Sequence, residues 1–169
     1  MAELRAEYDA IAEAHALPAD VDYNPVDAGG VSAEWVSGPE VRDHCVVLYL
    51  HGGCYATGSV ETHRDLMTRM SIVASMRVLG LNYRLAPAHP FPAAIEDAAA
   101  AYLWLLKLGN APSQIAIAGD SAGAGLGLAA MITIRDEGTP LPGCVACLSP
   151  WVDLALTGAS MGARPSKIQ

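Results

Sequence analysis

The segment most able to do chemistry in this sequence is Gly119-Asp-Ser-Ala-Gly123. It follows the apolar stretch Ile115-Ala-Ile-Ala118 and opens a helical pattern, so Ser121 is predicted to stand at a tight turn between a strand and a helix. Such a turn requires small flanking residues, and this segment has them. The amides at a helix N-terminus favour developing negative charge. The pattern predicts a nucleophilic serine, against the alternative that small residues only allow close packing of the helix on the strand.

A second segment with chemical potential is Leu50-His-Gly-Gly-Cys-Tyr55, at the end of an apolar run that starts at Cys45. Glycines in a loop let backbone N–H groups point into a site without a side chain in the way. Taken alone, these glycines fit a plain strand-to-loop turn equally well. About 70 residues separate the loop from Ser121, which is room for one further strand and two helices. We therefore expect both loops at the C-terminal edge of neighbouring parallel strands, where active sites collect.

The elements that must position these loops alternate between strands and helices. Runs that are apolar throughout predict strands covered on both faces, and they lie at Cys45 to Leu50, Val78 to Asn82, Ile115 to Ala118 and Cys144 to Leu148. Helical periodicity covers Ile95 to Leu106, where Gly109-Asn110 stops it, and Ser121 to Arg135. This alternation predicts an α/β fold with a mainly parallel sheet and helices on both faces.

The N-terminal part of the chain has a different pattern. Leu4, Tyr8 and Ile11 share one face of a predicted helix that Pro18 ends. From Val21 to Ser37 the chain is strand-like, with an interruption at Gly29-Gly30.

Composition and charge narrow the classes of function. The 169 residues are 52% hydrophobic and 17% charged, which is typical of one globular domain and excludes disorder. The net charge is −8 and no basic run occurs, so we expect no nucleic-acid partner. The uncharged runs 121–134 and 138–152 are too short to span a bilayer. The charged N-terminus lacks the apolar core of a secretory signal, and we expect a cytoplasmic protein.

The cysteines and glycines offer alternatives that the sequence disfavours. Cys144 and Cys147 lie three apart on a predicted strand, so they point to opposite faces. No second pair completes a zinc set, and we expect buried free thiols. The spacing of Gly123-Ala-Gly-Leu-Gly127 is wrong for a dinucleotide fingerprint. We expect neither a metal nor an organic cofactor.

Several segments, in order and over nearly the whole chain, resemble the hormone-sensitive-lipase branch of the α/β-hydrolase esterases. They are Leu50-His-Gly-Gly-Cys-Tyr55, Thr62-His-Arg64, Asn82-Tyr-Arg-Leu-Ala-Pro-Ala-His-Pro-Phe-Pro-Ala-Ala-Ile-Glu-Asp97, Gly119-Asp-Ser-Ala-Gly123 and Ser149-Pro-Trp-Val-Asp-Leu154. The resemblance implies hydrolysis of carboxylic esters through an acyl-enzyme on Ser121, with a small ester of short or medium acyl chain as substrate.

The same resemblance implies roles for the residues around Ser121. The backbone N–H groups of Gly53, Cys54 and Ala122 would form the oxyanion hole. Structural roles near the site would fall to His51, Gly52 and Asp120, and the Tyr83 to Asp97 segment would brace the site from below. Residues 1–20 would contribute to a cap, and residues 21–169 would be the N-terminal portion of the catalytic domain. The family has a third glycine where Cys54 stands, and a left-handed conformation there would cost about 1–2 kcal/mol.

The remaining members of a catalytic triad have no evident source in this sequence. In this fold the acid and then the histidine follow the serine. Asp153 is the candidate acid, but the resemblance makes it structural. No histidine follows Ser121, since the five are His15, His44, His51, His63 and His89. We therefore expect the N-terminal part of a hydrolase, with its last strands missing and little activity alone.

Three questions stay open from the sequence. The chain could be a catalytic part or a non-catalytic relative that binds a small ligand in an esterase-like pocket. Its origin could be truncation, a frameshift or cleavage. Its partners could be a complementing C-terminal chain or a second copy, because an apolar strand at Cys144 to Leu148 would form an exposed sheet edge.

Overall fold

The computed structural model describes residues 17–42 and 45–159, together with residues 3, 5, 6 and 10. Six strands are assigned: β1 (Asp22–Asp27), β2 (Ser32–Ser37), β3 (Val46–Leu50), β4 (Arg77–Leu81), β5 (Ile115–Asp120) and β6 (Cys144–Leu148). Three α-helices alternate with them: α1 (Arg64–Ala74), α2 (Ala93–Lys107) and α3 (Ser121–Asp136). Two short 3₁₀ turns, Glu61–His63 and Pro112–Gln114, precede α1 and β5.

The strands form one sheet in the order β1-β2-β4-β3-β5-β6. The first two strands run antiparallel to their neighbours, and β4, β3, β5 and β6 are mutually parallel. One strand and two α-helices, α1, β4 and α2, separate β3 from β5, as the spacing predicts. The predicted mainly parallel α/β-hydrolase sheet is therefore confirmed.

Strand β3 explains why the central strands are apolar throughout. All five of its residues are buried. Leu48 and Leu50 face a core that includes residues of α2 and α3, whereas Val47 and Tyr49 face a second core on the α1 side. Helices thus cover both faces of the sheet, and neither face of β3 can accept polar side chains without loss of burial.

Strand β6 does not follow the prediction of double coverage. It stands at the edge of the described sheet, and all of its residues except the half-buried Val145 are exposed. The expectation of buried thiols is consequently wrong: Cys54, Cys144 and Cys147 are exposed, and Cys45 is half-buried. The apolar sequence of β6 is typical of a strand covered on both faces, but its main helical contact within the described residues is with α3 alone on one face. The expected exposed apolar edge is present.

The predicted N-terminal helix falls mostly outside the described residues, including its apolar positions Leu4, Tyr8 and Ile11. The described positions Glu3, Arg5, Ala6 and Ala10 are helical. None of the helices in the described part of the chain is both long and apolar enough to cross a membrane.

Candidate active site

The turn between β5 and α3 carries the predicted nucleophile. Ser121 has a backbone φ of +49°, in the left-handed region that side chains rarely adopt. The flanking glycines allow this, because a Cβ on Gly119 would lie 2.7 Å from the carbonyl oxygen of Leu50. A Cβ on Gly123 would collide with the same oxygen. The end of β3 therefore presses directly on the turn, and this contact explains the small residues of the motif.

Ser121 is half-buried, and its backbone is tied to the segment that follows β6. The N–H of Trp151 donates to the carbonyl oxygen of Ser121 over 2.9 Å. Among the described residues the Ser121 hydroxyl makes no hydrogen bond. The side chain is thus presented at the N-terminus of α3, where the helix dipole favours negative charge.

The glycine loop after β3 lies at the same edge of the sheet. Strands β3 and β5 are parallel neighbours, with Leu50 opposite Gly119, so the expectation that both loops meet there is confirmed. Gly53 has a φ of +118°, and a Cβ on it would collide with the carbonyl group of Thr57. Cys54 follows with a φ of +55°. Because Cys54 is left-handed, the cost of about 1–2 kcal/mol expected for a side chain in this conformation applies here.

Internal hydrogen bonds hold this loop in its unusual conformation. The carbonyl oxygen of Gly53 accepts from the N–H groups of Ala56 and Thr57, over 3.0 and 2.9 Å, and from the Thr57 hydroxyl over 3.0 Å. No partner within the described residues occupies the N–H of Gly53 or of Cys54. Those two donors remain available to a ligand.

Asp120 links the loop to the turn that carries Ser121. Its Oδ1 accepts from the Tyr49 hydroxyl over 2.6 Å and from the Gly52 N–H over 2.8 Å. His63 Nε2 lies 3.5 Å from the same oxygen. Burial alone would raise the pKa of this carboxyl, but hydrogen bonds from His63, Tyr49 and Gly52 outweigh it and hold the pKa at about 2. Asp120 is therefore a carboxylate throughout the physiological range.

His51 is buried behind the loop. Its ring stacks on Tyr83 with centroids 4.3 Å apart, and the Tyr83 hydroxyl donates to the His51 carbonyl oxygen over 2.7 Å. Burial lowers the pKa of His51 to about 4, so the imidazole is neutral at pH 7. Its Nδ1 lies 2.7 Å from the carbonyl oxygen of Gly52, an acceptor, which makes Nδ1 the protonated nitrogen. These contacts fix the ring within the fold and favour the structural role predicted for it.

The segment from Tyr83 to Asp97 packs around the same region. The backbone N–H of Arg84 donates to Asp97 Oδ2 over 2.7 Å, and the Arg84 guanidinium pairs with the same carboxylate. The N–H of Ala86 donates to the carbonyl oxygen of Tyr55 over 2.8 Å. Together with the Tyr83 contact, these hydrogen bonds attach the segment to the glycine loop, as the predicted bracing role requires.

A largely apolar cavity of about 600 Å³ lies beside the site. Ser121 is not among its lining residues, but Gly125, one turn further along α3, and Tyr55, from the glycine loop, connect the two regions. The remaining wall comes from the start of α2, the outer face of α3 and the segment after β6, namely Arg84, Ala86, Phe91, Pro92, Ala94, Ile95, Leu128, Ala129, Ile132, Trp151, Val152 and Leu154.

The other titratable candidates do not gather at Ser121. Asp153 Oδ2 accepts from Thr157 N–H over 2.7 Å and from Gly158 N–H over 3.0 Å, which indicates a local role in a turn. His89 is exposed, and His15 and His44 lie outside the described residues. No group of three or more histidine, cysteine or acidic side chains in the described part could hold a metal ion.

Two residues near the site were missed by the sequence reasoning. Tyr49 was seen only as part of an apolar strand, and His63 only as part of Thr62-His-Arg64. Both reach Asp120 from elements distant in the chain. The available signal was that Tyr49 and His63 carry a hydroxyl and an imidazole, at positions that are buried in the structure. A buried polar group requires a hydrogen-bond partner.

Comparison with known proteins agrees with this architecture. A family model described as the alpha/beta hydrolase fold matches residues 47–167. The chain belongs to this family. Its structural neighbours place it in the hormone-sensitive-lipase-like branch: the crystal structure of an esterase from the bacterial hormone-sensitive lipase family matches with a TM-score of 0.90 and 49% identity, over 92% of this chain and 52% of that one.

Named relatives carry the same description. An acetyl-hydrolase of Streptomyces hygroscopicus is 50% identical over 150 residues, which are 89% of this chain and 48% of the relative. An esterase of Acinetobacter venetianus is 36% identical over 141 residues, which are 83% of this chain and 46% of the relative. The chain spans about half the length of the curated relatives it matches.

Proposed function

We propose that this chain is the nucleophile-bearing part of a serine carboxylic ester hydrolase. One observation carries the proposal: the left-handed turn at Ser121 is tied through Asp120 to a loop whose Gly53 and Cys54 N–H groups have no partner within the described residues. A nucleophile and two donors on adjacent strand ends suit the tetrahedral intermediate of acyl transfer.

In the proposed reaction, the Ser121 oxygen attacks the ester carbonyl carbon while the serine proton passes to a base. The N–H groups of Gly53, Cys54 and Ala122 stabilise the resulting oxyanion. Collapse of the intermediate releases the alcohol and leaves an acyl group on Ser121, which water then removes. None of these steps requires a metal or an organic cofactor.

The base is the step that this chain does not supply from its described residues. His51 is held by Tyr83 and Gly52. His63 faces the Asp120 carboxylate, with Nε2 3.5 Å from Oδ1, and His89 is exposed. Without the base and the acid, the remaining rate enhancement is on the order of 10³–10⁴-fold over the reaction in water, and it comes from the oxyanion hole and substrate binding. We propose that the 169-residue chain alone has negligible activity and that a C-terminal part, in cis or as a second chain, supplies the acid and the histidine.

The cavity beside the site supports a substrate class. An apolar cavity of about 600 Å³ suits a short or medium acyl chain. We propose that residues 1–20 belong to a cap over the pocket, that residues 21–169 belong to the catalytic domain, and that the protein acts in the cytoplasm.

The test is hydrolysis of p-nitrophenyl acetate and butyrate by the purified chain, with Ser121→Ala as the blank, before and after addition of a C-terminal part from a relative. We expect Ser121-dependent turnover only in the complemented form. Robust Ser121-dependent turnover by the chain alone would mean that a base is already present. Equal turnover by the Ser121→Ala variant after complementation would remove Ser121 as nucleophile.

A second candidate function is reversible binding of a small apolar ligand. It is favoured by a preformed, largely apolar cavity beside the turn that carries Ser121. Covalent labelling of Ser121 by a phosphonate ester, followed by mass spectrometry of the complemented protein, separates the two candidates. Labelling supports the hydrolase, whereas saturable ligand binding without labelling supports the binding protein.

A further inference from the structure

Arg5 connects the N-terminal segment to the glycine loop. The Arg5 guanidinium donates from Nε to the carbonyl oxygen of Ala56 over 2.8 Å and from Nη2 to the carbonyl oxygen of Ala86 over 3.1 Å. Arg5 is half-buried, and the two carbonyls are 51 and 81 positions away from it in the chain. A planar guanidinium can satisfy two carbonyls at once because its N–H groups form a rigid fork.

The two carbonyls belong to loops that already touch. The N–H of Ala86 donates to the carbonyl oxygen of Tyr55, and Tyr55 and Ala86 both line the apolar cavity. Arg5 therefore closes a ring of hydrogen bonds that joins loop 52–57 to the segment beginning at Tyr83. The ring sits where the cavity meets the loop with the free N–H donors.

Loop 52–57 needs outside support. Cys54 and Tyr55 are consecutive non-glycine residues with φ values of +55° and +60°. Such conformations persist only where the surroundings over-determine them. The hydrogen bonds to the Gly53 carbonyl oxygen act from inside the loop, whereas Arg5 and Ala86 act from outside it.

We infer that Arg5 is a positioning residue that holds loop 52–57, and with it the Gly53 and Cys54 N–H groups, in the orientation required for the oxyanion. This inference rests on the proposed function for its catalytic consequence. It assigns to the N-terminal segment a role in the geometry of the donors, in addition to any role in covering the pocket.

The first test is hydrogen exchange, read by mass spectrometry, on the 169-residue chain. Arg5→Ala removes two charge-assisted bonds, so exchange of the hydrogen-bonded amides in 52–57, those of Gly52, Ala56 and Thr57, should rise roughly tenfold or more, as should exchange at Ala86. Arg69→Ala is the matched control, because Arg69 is an arginine that is exposed on α1 and pairs with Asp65, away from loop 52–57. Peptides from β3 and β5 report global stability and should exchange as in the wild type.

Arg5→Lys provides a graded variant. It keeps the charge but replaces the planar fork by one ammonium, so exchange in 52–57 should fall between the wild type and Arg5→Ala. Wild-type exchange in 52–57 for Arg5→Ala would overturn the inference. A uniform rise that includes β3 and β5 would also overturn it, because Arg5 would then support only global stability.

The second test is turnover of p-nitrophenyl butyrate by the complemented protein. Arg5→Ala should lower kcat about tenfold with KM little changed, since the oxyanion exists only in the transition state. Arg5→Lys should recover part of kcat, and Arg69→Ala should match the wild type. Unchanged kcat for Arg5→Ala, with faster exchange in 52–57, would refute the positioning role. Absence of any Ser121-dependent turnover would instead count against the proposed function, and exchange would still decide whether Arg5 holds the loop.

Discussion

The backbone N–H of Gly52 donates to the carboxylate of Asp120, with 2.8 Å between the nitrogen and Oδ1. The two residues are 68 positions apart in the chain. Gly52 follows β3, and Asp120 is the last residue of the neighbouring parallel strand β5. Gly52 immediately precedes Gly53, and Asp120 immediately precedes Ser121. This hydrogen bond therefore joins the loop of the proposed donors directly to the turn of the proposed nucleophile.

Removal of this acceptor should destabilise the fold. In Asp120→Ala the buried Gly52 N–H and the Tyr49 hydroxyl lose their shared acceptor, at a cost of about 1–3 kcal/mol. Urea unfolding followed by circular dichroism measures the change. Asp136→Ala, at the exposed end of α3, is the control and should stay within about 0.5 kcal/mol of the wild type. The same midpoint for both variants would contradict the importance of the link.

Replacement of the left-handed Cys54 by glycine should raise the stability of the fold. Cys54→Gly removes a steric cost of about 1–2 kcal/mol and adds back some entropy of the unfolded chain, for a net gain of up to about 1 kcal/mol. Thermal unfolding should show a higher Tm. Cys144→Gly serves as the control, since glycine in a strand weakens it and should lower Tm. A lower Tm for both variants would mean that the Cys54 side chain is favourable where it lies.

His51 should make stability depend on pH. Its pKa is about 4 in the folded chain and 6.5 ordinarily, so between these values the unfolded state binds more protons. Stability is then full above about pH 6.5 and is lost as pH falls toward 4, by an amount on the order of 3 kcal/mol. His51→Asn keeps a donor near the Nδ1 position and removes the titration. The difference is measured by urea unfolding from pH 7 to pH 4.

The comparison for that experiment is His89→Asn, which removes an exposed imidazole. The free energy of unfolding of the His51→Asn variant should change less with pH than that of the wild type or of His89→Asn. Parallel pH profiles for all three proteins would show that His51 does not titrate differently in the folded state.

The exposed edge should promote self-association. β6 is an apolar strand at the edge of the sheet, and within the described residues no strand pairs with its outer side, so that side can pair with a second copy. Ala146→Lys places a charge in the middle of this strand and should lower the apparent mass in light scattering at high concentration. Val73→Lys adds the same charge at an 87% exposed apolar position on α1 and should not. A wild-type chain that stays monomeric at high concentration would contradict the prediction.

The fold and the position of the nucleophile were predictable because their signals are local. An apolar run such as β5 followed by small residues defines a strand and a tight turn within a dozen positions. The burial of β6 was predicted wrongly for a related reason. Apolarity indicates that a strand is suited to coverage, but it does not identify which element supplies the cover.

The contacts of the site were not predictable, because they join positions far apart in the chain. Tyr49 and Asp120 meet because the sheet places β3 beside β5, and Arg5 meets Ala56 across 51 positions of the chain. No periodicity or motif marks such pairs. The left-handed φ at Cys54 could not be predicted firmly from the sequence, because a glycine at this position would indicate such a conformation and a cysteine does not.

The insertion of β3 between β4 and β5 has a consequence for synthesis on the ribosome. Strand β4 can cover one edge of β3 early, but the other edge must wait for β5, whose end lies 68 positions beyond Gly52. At 5–20 residues per second this delay is on the order of 3 to 14 s. During it, an apolar strand has one side without hydrogen-bond partners, and a nascent chain in that state is a substrate for chaperones or for aggregation. The order of strands in the sheet therefore leaves β3 exposed for longest at the edge that later carries the site.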